Sequence, residues 1–199
     1  MNNSYENYIN SAFKCVIELS KKYTIDESHS LRHSMEVMRF AEEIYESELK
    51  SHPYLSEQRN LIVLSAILHD MCDRKYVDEI KAISEIEKYM NGYVDFPILV
   101  QIITTMSYSK VKKYGYPELG NYNLAYHIVR EADLLAAYDI DRCIMFAMFV
   151  NKMDYIDAVI CANKIFSERV LCYISDGLFI TNYSKKKSDE LHILCLRNR

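Results

Sequence analysis

The sequence predicts an all-α fold, organised as a single helical bundle. The chain has only 4 glycines and 3 prolines in 199 residues, which favours helices over tight turns. Apolar residues recur at helical spacing through most of its length. An almost wholly apolar run, Leu61 to Leu68, ends abruptly in His69-Asp70. A helix that is apolar on every face is a core helix, so this run predicts the centre of the bundle.

Amphipathic helices are predicted on both sides of this core helix. In chain order, the predicted helices span residues 5–22, 30–49, 57–71, 76–91, 96–106, 122–137, 138–150, 154–175 and 184–196. Asn91-Gly92 is typical of a helix end, and Pro97 suits a first helical turn. Ser107 to Asn123 is predicted as a long loop and residues 174–181 as a turn. We expect one domain over residues 1–199, with a core at about 20–150 and C-terminal helices at 154–197 packing on it.

Composition excludes several classes of protein. The net charge of −4 gives no electrostatic reason to expect duplex nucleic acid as a partner. No apolar run approaches the roughly 20 residues that span a membrane. The six cysteines have no paired short spacing and follow no secretory signal. They predict reduced thiols in an intracellular, cytoplasmic protein.

The His69-Asp70 pair indicates a metal site. An imidazole and a carboxylate at the buried end of a helix are unfavourable unless something pairs with them. A divalent cation suits both groups, and the partial negative charge of a helix C-terminus favours it further. Two more candidates, His33 and Asp133, lie at the edges of helical apolar stripes. Mixed nitrogen and oxygen ligands suit Mn, Fe, Co, Ni or Zn, with Mg also compatible, and the sequence does not choose among them.

These residues belong to a longer pattern of motifs. The motifs are Asp26-Glu27-Ser28-His29, Leu68-His69-Asp70, Asp73-Arg74-Lys75-Tyr76, Ser107-Tyr108-Ser109, and Ala132-Asp133 followed by Arg142. The pattern resembles the HD-domain metal-dependent phosphohydrolase superfamily over about residues 20–195. Within it, the motifs are similar to those of small HD proteins, some of which resemble pyrophosphohydrolases that cut nucleoside triphosphates to monophosphate and pyrophosphate. The resemblance implies an HD-domain bundle with one central divalent metal ion.

The resemblance also implies roles for individual residues. His33, His69, Asp70 and Asp133 are the expected metal ligands. Asp73 and Lys75 follow the ligand pair, and we expect Asp73 to position or deprotonate the attacking water and Lys75 to neutralise phosphate charge. The expected substrate-binding residues are His29, Lys75, Lys110 and Arg142. A homodimer is suggested by the resemblance alone.

Simpler interpretations exist for each of these residues. Taken alone, His33 is more typical of a satisfied core histidine, and Asp133 of a helix-surface or capping carboxylate. Asp73 and Lys75 would also make a surface ion pair. For His29, capping or a supporting role behind the ligands is as good an interpretation as substrate contact. The combination of all the candidates, in the right order on helices, favours a metal site.

The segment after the last expected ligand departs from the family pattern. Leu134 and Ala136 replace an Arg and an Asp of that pattern, and Tyr138 is bulky where small residues are usual. These changes leave the ligand set intact but affect the expected substrate pocket. His127 matches no position of an additional ligand, which favours one metal over two.

The most favoured function is metal-dependent hydrolysis of a phosphoester or phosphoanhydride, with a phosphorylated small molecule, a nucleotide, as substrate. The departures after Asp133 motivate an alternative, a catalytically silent HD fold that binds a nucleotide or a partner as a regulatory module. A purely structural metal site is a third hypothesis. Open coordination positions and the polar segment 73–76 argue against it.

Overall fold

The computed structural model describes residues 3–90 and 92–197, with side chains from residue 6 onward. Within these ranges it is all-helical and contains no strand, which confirms the predicted fold class. The ten α-helices are α1 Asn3–Tyr23, α2 Leu31–Leu49, α3 Arg59–Leu68, α4 Glu79–Met90, α5 Phe96–Thr105, α6 Tyr108–Tyr114, α7 Asn123–Ala136, α8 Ile140–Phe149, α9 Tyr155–Glu168 and α10 Asn182–Arg197. Short 3-10 turns occupy Pro53–Gln58, Gly120–Tyr122 and Val170–Cys172.

Helix α3 is the centre of the bundle. Every residue of it from Leu61 to Leu68 is buried, and it packs against α1, α2, α5 and α7. A helix surrounded by other helices is expected to be apolar on all sides. Helix α10 packs on α2 and α7, and α9 packs on α8. The site described below lies where α2, α3 and α7 meet.

Several predicted boundaries are wrong. The core helix ends at Leu68 rather than at residue 71, so His69 and Asp70 lie in the turn that follows it. The helix predicted at 76–91 begins at Glu79, where the Asp78 side chain accepts a hydrogen bond from the Lys81 amide at 3.0 Å. Asn91, which was predicted to end this helix, lies outside the described residues. Gly92 has a φ of +84°, a conformation that glycine adopts without strain.

The predicted loop at 107–123 contains a helix. Helix α6 fills Tyr108–Tyr114 and ends at Gly115, whose φ is +76°. Similarly, the helix predicted at 154–175 ends at Glu168 and is followed by a 3-10 turn. Two further predictions, the Pro97 first turn and the irregular segment around Gly177, are confirmed.

Candidate metal centre

Four predicted residues from three helices meet at one point. His33 lies in the first turn of α2, His69 and Asp70 directly follow α3, and Asp133 is in the last turn of α7. The two Nε2 atoms of His33 and His69 are 3.1 Å apart. Asp70 Oδ2 lies 3.4 Å from His33 Nε2 and 3.1 Å from His69 Nε2. Asp133 Oδ1 lies 3.3 Å and 3.6 Å from the same two nitrogens.

The donor set fits a divalent cation. His69 Nδ1 lies 2.9 Å from the Ala66 carbonyl oxygen, so Nδ1–H donates to it and Nε2 presents a lone pair to the cluster. Such a bond is the usual orientation of a metal-binding histidine. When His33 and His69 both present Nε2 lone pairs to the cluster, the buried Asp70 Oδ2 is left without a hydrogen-bond donor. Buried polar atoms normally have partners, and a cation would supply one for Asp70.

The spacing of the cluster agrees with this interpretation. The ligand atoms of His33, His69 and Asp70 all lie within 4.8 Å of one another. Neighbouring ligands that each bind an ion at about 2.1 Å are roughly 3 Å apart. The C-terminal ends of α3 and α7 also meet here, and their partial negative charges favour a cation. His33, His69 and Asp70 could therefore hold a divalent metal ion, and Asp133, which contacts both imidazoles, lies beside them.

The protonation of the cluster depends on burial and on its carboxylates. Burial lowers the pKa of His33 to about 3. Burial also disfavours a charged His69, but the carboxylates of Asp70 and Asp133 outweigh this and raise the pKa of His69 to about 10. Burial likewise acts against ionised Asp70 and Asp133, but the two imidazoles hold the pKa of each below its usual value. Without a metal, a proton on His69 Nε2 would lie between the two carboxylates, and a bound cation would replace that proton.

A second group of polar residues lies beside the cluster. His29 Nδ1 is 2.6 Å from Ser28 Oγ and 3.1 Å from the Tyr76 hydroxyl. Both hydroxyls donate to the Asp26 carboxylate. Their oxygens are therefore left to accept from His29 Nδ1–H, and His29 Nε2 presents a lone pair. The Lys75 ammonium lies 3.2 Å from this Nε2 and donates to it.

Asp73 and Lys75 form an ion pair, with Lys75 Nζ 2.9 Å from Asp73 Oδ2. This is the ion pair that the simpler interpretation of the sequence predicted. Both side chains line the same cavity as Asp70. His29, Asp70 and Asp73 also form a group that could hold a second cation. The Lys75 ammonium already contacts two members of that group, so a second cation there would meet a like charge.

The other two predicted substrate-binding residues line this cavity but have internal partners. Arg142 Nε donates to the Ser28 carbonyl at 2.9 Å, and its Nη1 is 3.8 Å from Asp133 Oδ1. Lys110 lies on α6 rather than in a loop. Its ammonium bonds to the Thr104 carbonyl at 2.6 Å and to Glu79 at 3.1 Å.

The cavity has a volume of about 570 Å³ and opens from the cluster. Its apolar wall comes from helices α5, α6, α8 and α9, from the residue that follows α5 and from the turn after α9. The apolar and aromatic lining residues include Ile103, Met106, Tyr108, Phe146, Ile165, Val170 and Tyr173. The sequence did not predict Arg169, which also lines the cavity, because it belongs to no motif. The family departures Leu134, Ala136 and Tyr138 are buried in the core and do not line the cavity.

The structure is a helical bundle, and its His and Asp side chains could hold a divalent metal ion beside an open cavity. These features are typical of a metal-dependent protein. The family model of the HD domain matches residues 30–158, and the chain belongs to the HD-domain family. Proteins of this family bind divalent metals and are in general metal-dependent hydrolases. The matched segment contains the four residues of the metal cluster. It also contains Asp73, Lys75, Lys110 and Arg142, but neither His29 nor Arg169.

Searches of the curated proteins and of the solved structures found no significant match. Across the described ranges, no helix combines the length and the apolar character needed to cross a membrane. His127 lies apart from the cluster, in a second pocket with His52 and Gln58.

Proposed function

We propose that the protein is a phosphohydrolase that uses one divalent metal ion to cleave a phosphoester or phosphoanhydride bond of a nucleotide. The observation that carries the proposal is the convergence of His33, His69, Asp70 and Asp133 beside an open cavity that the last three of them line. A structural metal site would be closed by its protein ligands. Here Asp70 and Asp133 side chains keep 15% and 25% of their surface exposed.

The four clustered residues would hold the ion. When bound, a divalent cation supplies Lewis-acid chemistry, polarising a phosphoryl oxygen and making water a better nucleophile at neutral pH. The protein would supply the rest. His69 is fixed by its bond to the Ala66 carbonyl, and the two carboxylates offset the charge of the buried ion.

Asp73 and Lys75 would act at the reacting phosphate. In this proposal the Asp73 carboxylate would accept a proton from the attacking water while the water oxygen bonds to phosphorus. The bond from phosphorus to the leaving oxygen would break, that oxygen would take up a proton from solvent, and Asp73 would return its proton to solvent. The Lys75 ammonium, whose position is fixed by His29 and Asp73, would neutralise the charge that develops on the phosphoryl oxygens. Arg142 would add positive charge beside Asp133.

A nucleotide suits the character of the cavity. Its volume is typical of a small-molecule site, its lining combines cationic with aromatic side chains, and duplex nucleic acid is disfavoured by the net charge of −4. The resemblance to pyrophosphohydrolases favours cleavage of a nucleoside triphosphate to monophosphate and pyrophosphate. Leu134, Ala136 and Tyr138 lie in the core and do not line the cavity. They therefore no longer argue that the substrate pocket is altered, which was the reason to consider a silent binding module.

A product assay tests the proposal. Purified protein with Mn²⁺ is incubated with nucleoside tri-, di- and monophosphates, and phosphate and pyrophosphate are quantified separately. We expect product from the wild type and a loss of at least about a hundredfold in Asp70→Ala, since the change removes an expected ligand. Asp157→Ala, which changes an exposed carboxylate on α9, is the matched control and should retain full activity.

Each product pattern has a distinct meaning. Pyrophosphate release that depends on Asp70 supports the pyrophosphohydrolase assignment, whereas phosphate from monophosphates indicates a nucleotidase. An absence of turnover with Mn, Fe, Co, Ni, Zn and Mg would exclude hydrolysis of these nucleotides and favour the regulatory binding module instead.

A further inference from the structure

Arg169 is an oriented cation in the cavity wall. It follows the end of α9 at Glu168 and lies beyond the segment that matches the HD family. Its guanidinium stacks over the Tyr108 ring with 4.5 Å between the guanidinium carbon and the ring centroid. Its Nε donates to the Tyr173 hydroxyl at 3.1 Å. Two contacts from different elements thus fix the plane of the guanidinium.

The other cations of the cavity already have partners in the protein. Arg74 makes two bonds to Glu79, and Lys110 bonds to the same carboxylate. Lys75 pairs with Asp73, and Arg142 is bonded to a backbone carbonyl. Arg169, by contrast, has no carboxylate within ion-pair distance among the residues that the structure describes. Arg169 is solvent-exposed and lines the cavity.

A fixed guanidinium without an anion is well suited to bind one. The planar fork of Arg bonds phosphate oxygens in pairs, and prior orientation reduces the entropy lost on binding. Tyr173 supports this orientation. Burial raises the pKa of Tyr173 to about 12, so its hydroxyl stays neutral and accepts the Nε–H bond. Tyr173 and Arg169 line the same cavity as Asp70 and Asp133.

We propose that Arg169 binds a second phosphate of the substrate, separate from the phosphate that meets the metal cluster. Arg169 forms no ion pair with any of the four clustered residues, whereas Arg142 lies 3.8 Å from Asp133. The two guanidinium groups would thus bind different anions. The inference rests on the proposed function and narrows its substrate class to compounds with two or more linked phosphates, such as nucleoside di- or triphosphates.

Equilibrium binding tests this inference without relying on turnover. Isothermal titration calorimetry would compare imidodiphosphate, whose P–N–P bridge resists hydrolysis, with inorganic phosphate, on the full chain at fixed Mn²⁺. We expect imidodiphosphate to bind Arg169→Met about ten to a hundred times more weakly than the wild type, the usual effect of a lost charged hydrogen bond. Phosphate affinity should not change. Lys164→Met, which removes an exposed charge from α9 outside the cavity, is the control and should bind as the wild type does.

Two further variants separate charge from orientation. Arg169→Lys keeps the charge but loses the fork, and Tyr173→Phe removes only the bond to Nε. Both should bind imidodiphosphate with an affinity between those of the wild type and Arg169→Met. Circular dichroism would verify that each variant is folded, and these two milder changes keep the test valid if Arg169→Met is not.

Three results would overturn the inference. They are equal imidodiphosphate affinity in the wild type and Arg169→Met, an equal loss of phosphate affinity in that variant, and no binding by the wild type. Failure of the proposed function is a different result. Binding that depends on Arg169 in a protein without turnover would refute hydrolysis and leave the diphosphate site in place.

Discussion

His127 is a half-buried histidine outside the metal cluster. Burial lowers its pKa to about 4, and the Arg130 guanidinium, whose Nη2 is 3.4 Å from His127 Nδ1, acts in the same direction. Its other close neighbours are aromatic. The rings of Tyr116 and Tyr126 lie 4.9 Å and 5.4 Å from the imidazole. His127 therefore stays neutral in the folded protein at pH values where it would be charged in the unfolded chain.

This difference predicts a loss of stability in acid. Between the unfolded pKa of about 6.5 and the folded pKa of about 4, the unfolded state binds more protons, so the free energy of unfolding falls as pH falls. Allowing for partial exposure, the effect is about 1–2 kcal/mol. Urea unfolding from pH 7 to pH 4 should show a shallower fall in His127→Gln than in the wild type. The cluster histidines titrate in both proteins and cancel in the comparison. Parallel curves would contradict the prediction.

At the scale of residues, the sequence indicated the clustered residues but not Arg169 or the internal contacts of Lys110. His33, His69, Asp70 and Asp133 could be selected because their order along the chain carries information. The contacts of Lys110 with Glu79 and Thr104 depend on how α6 packs, which no local pattern specifies. No motif in the sequence marked Arg169, because its orientation depends on the contacts with Tyr108 and Tyr173, which form only in the folded protein.

The segment that leads into α10 is attached to α7 by buried charges. Glu131 has no exposed surface. Its carboxylate accepts hydrogen bonds from the Ile180 amide at 2.8 Å, the Thr181 amide at 3.1 Å and the Thr181 hydroxyl at 2.7 Å. The neighbouring Arg130 donates to the Leu178 carbonyl at 2.6 Å. A segment without regular structure thus obtains partners for its backbone groups from one helix.

Removal of this carboxylate should destabilise the fold. In Glu131→Ala, Arg130 loses its buried ion-pair partner, and the Ile180 amide, the Thr181 amide and the Thr181 hydroxyl lose their acceptor. We therefore expect a loss of about 3–5 kcal/mol in the free energy of unfolding. Glu131→Gln keeps one acceptor oxygen, and its loss should be about 1–3 kcal/mol. Urea denaturation measures both. Glu87→Ala, at an exposed position on α4, is the control and should stay within about 0.5 kcal/mol of the wild type. An equally small change in Glu131→Ala would show that the carboxylate is dispensable.

At the scale of elements, amphipathic helices were the easiest to predict. Their apolar spacing marks which face is buried, and the bounds of α1, α2 and α7 differ from prediction by no more than two residues. The end of α3 was misplaced because a helix that is buried on all sides has no alternation of apolar and polar residues, so no change of pattern marks its last residue. Helix α6 was missed because the glycines and proline after it indicate a loop, and because it has no buried residue to create an apolar stripe.

The whole molecule brings together residues that are one hundred positions apart in the chain. His33 and Asp133 lie on α2 and α7, which pack against each other and against α3. The sequence could suggest that these residues share an ion, but their distances depend on the packing of all three helices. A bound ion would therefore join the three helices at the centre of the bundle, and its affinity would add to the stability of the fold.

Metal should consequently raise the melting temperature. A ligand that binds only the folded state at one hundred times its Kd adds about 2.7 kcal/mol, which for a chain of this size corresponds to about 5–11 °C. Differential scanning fluorimetry of chelator-treated protein, titrated with Mn²⁺ or Zn²⁺, measures the shift. In Asp70→Ala the shift should largely disappear because the ion loses a ligand that bridges the two imidazoles, while Asp157→Ala should respond as the wild type does. An undiminished shift in Asp70→Ala would mean that the stabilising ion binds elsewhere, and the metal-centre assignment would then fail, whatever the protein's activity.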